Sequence, residues 1–224
     1  AWKTGGGGVW TTNGYDPESR LTIWGAGNPV PMYDAEYRPG DNLYTNSAVA
    51  LDIDTGKLKW HFQYTPNDNW DYDENGVHMI YETRIDGQNR KVVGHFGRNG
   101  FYYQMDKANG QFIGAGQYVN ELNWTKGLDP KTGKPLEYDP KLAVQTYIPK
   151  TRTLRGDPAE TACPTWHGGV SLQLPAFHPV KKIAYGAGAE GCFTQVVAET
   201  IPLGPNGGID ETKEERRLLH AACL

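Results

Sequence analysis

Ala50-Leu51-Asp52-Ile53-Asp54-Thr55-Gly56-Lys57-Leu58-Lys59-Trp60 reads as an apolar strand, a tight turn and a second strand closing on a tryptophan. The Asp-x-x-x-Gly turn returns in Asp106-Lys107-Ala108-Asn109-Gly110, followed by the apolar Phe112-Ile113. Glycines 56 and 110 mark the same point of the unit, 54 positions apart. A third, weaker echo is Asp129-Pro130-Lys131-Thr132-Gly133-Lys134, where the proline makes a loop the expectation. A repeat of roughly 50 residues built from about four strands is the period of a propeller blade. At that period the chain holds about four blades, and the expected fold is an all-β propeller.

The rest of the sequence agrees. Strand-like runs occur at Val9–Thr12, Leu21–Gly25, Ser47–Asp52, Leu58–Tyr64, His78–Glu82, Lys91–Phe96, Phe101–Asp106, Gly169–Leu174, Lys182–Gly186 and Phe193–Val197. Turn signals divide them, among them Arg38-Pro39-Gly40-Asp41, Asp86-Gly87 and Arg98-Asn99-Gly100. Residues 115–165 carry few strands and read as a long excursion. The end, from Glu214 to Leu224, turns helical in pattern, and residues 201–224 are left as an unassigned tail after a propeller segment over 1–200. The opening Ala1-Trp2-Lys3-Thr4, without an initiating Met, reads as the middle of something longer.

Composition narrows the function. The net charge is −4 and no basic stripe is present, so nucleic acid is not an expected partner. No run of about 18 apolar residues exists, so no transmembrane helix is expected. Cysteines 163, 192 and 223 form no C-x-x-C pair, which leaves a thiolate zinc site or haem attachment unsupported. Cys163 and Cys192 either close the span between them or are buried free thiols.

The chemistry points to Trp70-Asp71-Tyr72-Asp73. In an extended segment two carboxylates two positions apart lie on one side, with the residue between them on the other. With an amide oxygen alongside, such as that of Asn28, they form an oxygen-only pocket for a hard cation. One carboxylate left free takes a proton. The alternative for an isolated Asp-x-Asp is a polar surface loop.

Taken together, Gly6-Gly7-Gly8-Val9-Trp10, Gly25-Ala26-Gly27-Asn28-Pro29, Arg38-Pro39-Gly40-Asp41-Asn42, Asp54-Thr55-Gly56-Lys57, Trp70-Asp71-Tyr72-Asp73, Arg98-Asn99-Gly100, and Cys163-Pro164 followed by Gly168-Gly169 make a specific set. In order and spacing they resemble the quinoprotein alcohol dehydrogenases, eight-bladed propellers that use pyrroloquinoline quinone; the likeness covers roughly residues 1–200. The resemblance implies that Trp10 is the floor under the quinone, Asn28 an amide-oxygen metal ligand and Asp71 both a metal neighbour and the catalytic base. It implies that Asp73 is the extra carboxylate of lanthanide-using members, and that Arg98 hydrogen-bonds the quinone. Calcium is the alternative metal. Cys163 and Cys192 resemble the family's structural disulfide, which places the protein in the periplasm. Ser171 stands where the family has a quinone-contacting Asn, followed by Leu172 in place of a Trp, so contacts on that side are expected to differ. The family's glutamate ligand and its ring of adjacent cysteines fall before Trp10, and its closing blades fall after this sequence. A four-blade piece by itself is therefore expected to bind quinone poorly. The implied reaction is hydride transfer from a small primary alcohol to the quinone, with a cytochrome c as the electron acceptor. Two other readings are a non-catalytic propeller scaffold and an inactive truncated paralogue.

Overall fold

A computed structural model of the chain describes residues 5–158, 160–171 and 173–200. The helical reading of the final residues, Leu172 and Cys223 all lie outside them. Among the described residues there is no α-helix, and a single 3-10 turn spans Ala35–Tyr37.

Two antiparallel four-stranded sheets dominate. The first runs in chain order through β1 (Gly14–Asp16), β2 (Leu21–Gly25), β3 (Ser47–Asp52) and β4 (Leu58–Gln63). The second runs through β5 (Met79–Ile85), β6 (Gln88–Phe96), β7 (Phe101–Asp106) and β8 (Phe112–Gln117). Two smaller sheets follow the excursion: β9 (Glu160–Ala162) pairs with β12 (Phe193–Gln195), and β10 (Ala176–His178) with β11 (Ile183–Tyr185). The described residues thus form four sheets, of which only two are full blades. Among the described residues no strand lies between Gln117 and Glu160. Val9–Thr12 and Gly169–Leu174 are not strands among the described residues. In the second, the backbone of residues 169–171 is spent on loop contacts to Arg98, Tyr118, Gln173 and Ala189 rather than on a ladder.

The period-two burial of β2 and β7, with every other residue buried, is what their sequences lead one to expect. The register shift between Ala50 and Leu51 recurs between Gln104 and Met105, 54 positions on, so the repeat extends to its bulge. The turns repeat in the same detail. Gly56 N donates to Asp52 O, Gly110 N to Asp106 O, and Gly133 N to Asp129 O, at 2.8, 2.9 and 2.8 Å. The Asp52 and Asp129 carboxylates each accept from the following Thr, Thr55 and Thr132. The third echo is thus a full turn of the same kind, Pro130 notwithstanding.

The second and third of these turns receive the preceding strands. Trp60 lies over Gly110 and donates its indole N–H to Lys107 O at 3.2 Å. Gly133 receives Phe112, two residues ahead of Gly114, which is the counterpart of Trp60. Burying an indole of this kind stabilises by roughly 5 kcal/mol as an upper estimate. Lys107 also joins the blades through ion pairs to Asp16 at 2.9 Å and Glu18 at 2.6 Å. A Cβ at Gly110 would lie 2.4 Å from Trp60 Cε3, and Gly110 has φ +70°. Gly110→Ala is therefore expected to lower unfolding free energy by about 2 kcal/mol, through displacement of the indole and the left-handed backbone. Urea denaturation checks this, and an unchanged midpoint would refute the docking role.

The interior between the blades is formed by Ile23, Ala48, Ala50, Phe62, Tyr64, Val93, Tyr103 and Met105, all buried. It carries a polar seam. His78 and His95 stack at 4.1 Å, His78 Nε2 meets Tyr64 OH at 2.9 Å, and His95 Nε2 meets Glu74 Oε2 at 2.7 Å. Burial pushes His95 down to about 4 and raises the Glu74 carboxyl well above its ordinary value.

Candidate active site

The site is built from loops that leave the C-terminal ends of β2, β4 and β6, closed by the loop ahead of β10. The first loop carries Gly27-Asn28, the second Asp71 and Asp73, the third Arg98 and the fourth Ser171.

Arg98 gathers the others. Its Nη1 donates to Asp71 O at 2.9 Å and lies 3.6 Å from Asp73 Oδ2, while Nη2 donates to Ser171 Oγ at 2.7 Å. Its backbone N–H donates to Glu74 Oε2 at 3.2 Å, and its carbonyl accepts from Gly169 N at 3.3 Å. The guanidinium is buried, so these contacts fix it before any ligand arrives.

Asp73 Oδ1 accepts the backbone N–H of Asn28 at 2.5 Å, which joins the first loop to the second. Between them sits Gly27. A Cβ there would fall 2.7 Å from Asp73 Oδ1 and 3.2 Å from Asn75 Nδ2, so only glycine leaves this cradle open. Asn75 is buried, and both its amide atoms lack a partner among the described residues. Gly27 N also donates to Gly8 O at 2.9 Å, and Thr11 Oγ1 donates to Asn75 O. The segment bearing Trp10 is thereby laid along the same cradle. The indole itself is 50% exposed, an open aromatic face rather than a blade contact.

The Asp71 segment corrects the expectation of an extended strand. Residues 71–75 belong to no strand, and Asp71 has φ +67°, a left-handed conformation that costs a non-glycine residue about 1 kcal/mol. Tyr72 does not point to solvent but is fully buried, its OH donating to Pro164 O at 2.6 Å. Trp70 is anchored likewise, donating to Thr151 O at 2.6 Å. Among the described residues no donor hydrogen-bonds the Asp71 carboxylate. Burial, reinforced by the charges of Asp68 and Asp73 and opposed by Arg98, pushes it up to about 7. The concentration of negative charge fits a cation, and the acceptor-rich, amide-lined cradle fits a hard one. Asn28, Asp71 and Asp73 are the residues that would hold it.

Sequence reading missed Asp68, Asn46, Glu74 and Asn75, all buried beneath these loops. A different cluster of ligand types, Glu121 with Cys163 and Cys192, is spent, because the cysteines are bridged. That disulfide closes a separation of 29 residues and flanks Pro164, the acceptor for Tyr72. Replacing Cys163 with Ala is expected to cost about 3 kcal/mol in the chain-entropy model. Comparison of urea midpoints for this variant and the parent tests the figure, and equal midpoints would show the bridge to be thermodynamically idle.

The antiparallel four-stranded sheets are blades of a β-propeller, and they carry a carboxylate pair, an arginine and a glycine cradle at one set of loop ends. The family model for the β-propeller domain of pyrroloquinoline-quinone glucose/ethanol/alcohol dehydrogenases matches residues 1–115, and the chain belongs to that family. It is 44% identical over 138 residues to the quinoprotein alcohol dehydrogenase PedH of Pseudomonas putida, covering 62% of this chain and 23% of that protein. It is 38% identical over 217 residues to the dehydrogenase subunit of the quinone alcohol dehydrogenase of Gluconobacter oxydans, covering 93% of this chain and 26% of that one. Among solved structures, a europium-containing methanol dehydrogenase superposes with a TM-score of 0.79 at 34% identity, covering 88% of this chain and 32% of that one. The chain thus spans about a quarter to a third of the length of these relatives. No helix among the described residues is long and apolar enough to cross a membrane.

Proposed function

We propose that this chain carries the base and part of the metal site of a pyrroloquinoline-quinone alcohol dehydrogenase. The observation that carries the reading is Arg98 holding the Asp71 carbonyl, Asp73 and Ser171 at once, beside a carboxylate that no donor among the described residues occupies. The chemistry that a quinone and a metal ion would supply here, when bound, is hydride acceptance and polarisation of the acceptor.

The chain's own residues do the rest. Asp71 takes the proton of the alcohol hydroxyl, a role for which a carboxylate near neutrality is suited. Asn28, Asp71 and Asp73 would hold the metal. Arg98 would orient the quinone oxygens, and Trp10 would offer its open face as the floor. Ser171 reaches Arg98 rather than standing free, so it acts on the cofactor through that guanidinium. The extra carboxylate at 73 and the likeness to a europium-containing methanol dehydrogenase both favour a lanthanide over calcium. The disulfide supports an oxidising compartment, the periplasm. Relatives named quinohemoproteins support a haem protein such as a cytochrome c as the electron acceptor. A purely structural propeller has no use for a carboxylate that no donor among the described residues occupies, next to a fixed arginine.

The test is reconstitution of the complete quinoprotein with quinone and either calcium or lanthanum, followed by addition of a primary alcohol. Bleaching of the quinone absorbance on alcohol addition is expected. Quinone bound but never reduced by any alcohol would defeat the proposal.

A further inference from the structure

We infer that Asp68, working with Asn46, is a positioning residue that sets the orientation of the Asp71 carboxylate; the inference rests on the reading of Asp71 as the base. Asp68 is fully buried. Its Oδ1 accepts the backbone N–H of Trp70 at 3.0 Å and its Oδ2 that of Tyr72 at 3.1 Å. These two amides flank Asp71 on either side. One carboxylate therefore grips the Tyr72 amide, in the peptide that sets ψ of Asp71, and the Trp70 amide one peptide before the turn, so the backbone is held on both sides of Asp71. Aspartate tolerates that turn, and these two bonds hold it there.

Asn46 closes the clamp. Its Nδ2 donates to Asp68 Oδ2 at 3.2 Å and to Tyr72 O at 2.7 Å. Its own backbone N–H donates to Gly27 O at 2.9 Å, immediately ahead of Asn28. The pair thus ties the base loop to the loop of the proposed metal ligand, although Asn46 and Asp68 are 22 residues apart in sequence. With Trp70 and Tyr72 anchored outward to Thr151 and Pro164, Asp71 is the one side chain of the three left to face the site.

A carboxylate is needed because donors converge on both of its oxygens. An amide at position 68 would turn its NH2 towards one of them and leave that N–H unpaired. Asp68→Asn is therefore a nearly isosteric probe.

In the complete quinoprotein, loaded with quinone and metal, Asp68→Asn is expected to lower kcat about 30-fold, since small misplacements of a reacting group act on that scale. KM for the alcohol and the quinone titration should stay within about two-fold. Amide hydrogen exchange over residues 70–72 should quicken at least about ten-fold, while β3 and β4 remain unchanged. Asn46→Gly, which removes the amide donor but tolerates the φ of +51° at that position, is the second variant. It should move both readouts in the same direction by less, and it serves if Asp68→Asn does not fold. Unchanged exchange at 70–72, unchanged kcat, or exchange raised evenly through β3 and β4 would overturn the inference. Asp71→Asn run in parallel separates the two readings. Full turnover in that variant removes the base assignment, whereas a dead Asp71→Asn beside a fully active Asp68→Asn removes the positioning role alone.

Discussion

Asp71→Asn is expected to lower kcat by about 10³-fold while quinone affinity changes by no more than a few-fold. General-base catalysis contributes about 10²–10⁴ in rate, and the substitution removes that proton acceptor, with one negative charge at the proposed metal site, while keeping an oxygen in place. Asparagine has the shape of aspartate and also tolerates the left-handed backbone at φ +67°. Arg98 reaches the residue through the Asp71 carbonyl, not the carboxylate, so the guanidinium keeps its hold on the loop. Rapid mixing of the quinone-loaded protein with alcohol, followed by single-turnover absorbance, isolates the chemical step from electron transfer to the acceptor. A variant that reduces its quinone within about three-fold of the parent rate would mean that another group takes the proton.

Much of the fold was legible because it rests on local rules. Leu21–Gly25, Ser47–Asp52 and Phe101–Asp106 form strands with the bounds their patterns imply, since alternate residues pack inward and turn residues close both ends. The 54-residue recurrence of the glycine turn reflects a physical need, the close approach of Trp60 to Gly110. The excursion after Gln117 hid the third turn, because Pro130 is a loop signal in sequence and an indifferent turn residue in space. The site was legible only as residue types. Asp71, Asp73, Asn28, Arg98 and Ser171 come together, but the backbone that brings them together is not extended. What bends it is Asp68, whose carboxylate looks in sequence like any loop acid. Its partner Asn46 lies on another loop, and no local period relates the two. Glu74 was equally hidden, for its raised affinity for a proton comes from burial against His95 of the next blade.

Asp73→Asn is expected to weaken lanthanide binding about 30-fold and calcium binding about ten-fold. Asparagine keeps the oxygen that accepts the Asn28 N–H, at 2.5 Å in the parent, and so preserves the link between the two loops. What it removes is one negative charge. The attraction of a carboxylate to an ion scales with the ion's charge, so a trivalent ion loses half as much again as a divalent one in the same place. The loss of Asp73 also releases Arg98 Nη1, 3.6 Å from its Oδ2, leaving a buried cation with one fewer counter-charge near the metal. That repulsion again falls more heavily on the trivalent ion. Terbium luminescence with lanthanum competition gives the first affinity, calorimetry gives the second, and neither requires turnover. Asp73→Ala, which removes the acceptor as well, should lower both affinities further by loosening Asn28. Equal fold-losses for lanthanum and calcium in Asp73→Asn would reduce Asp73 to a loop tether, with the choice of metal made elsewhere in the protein.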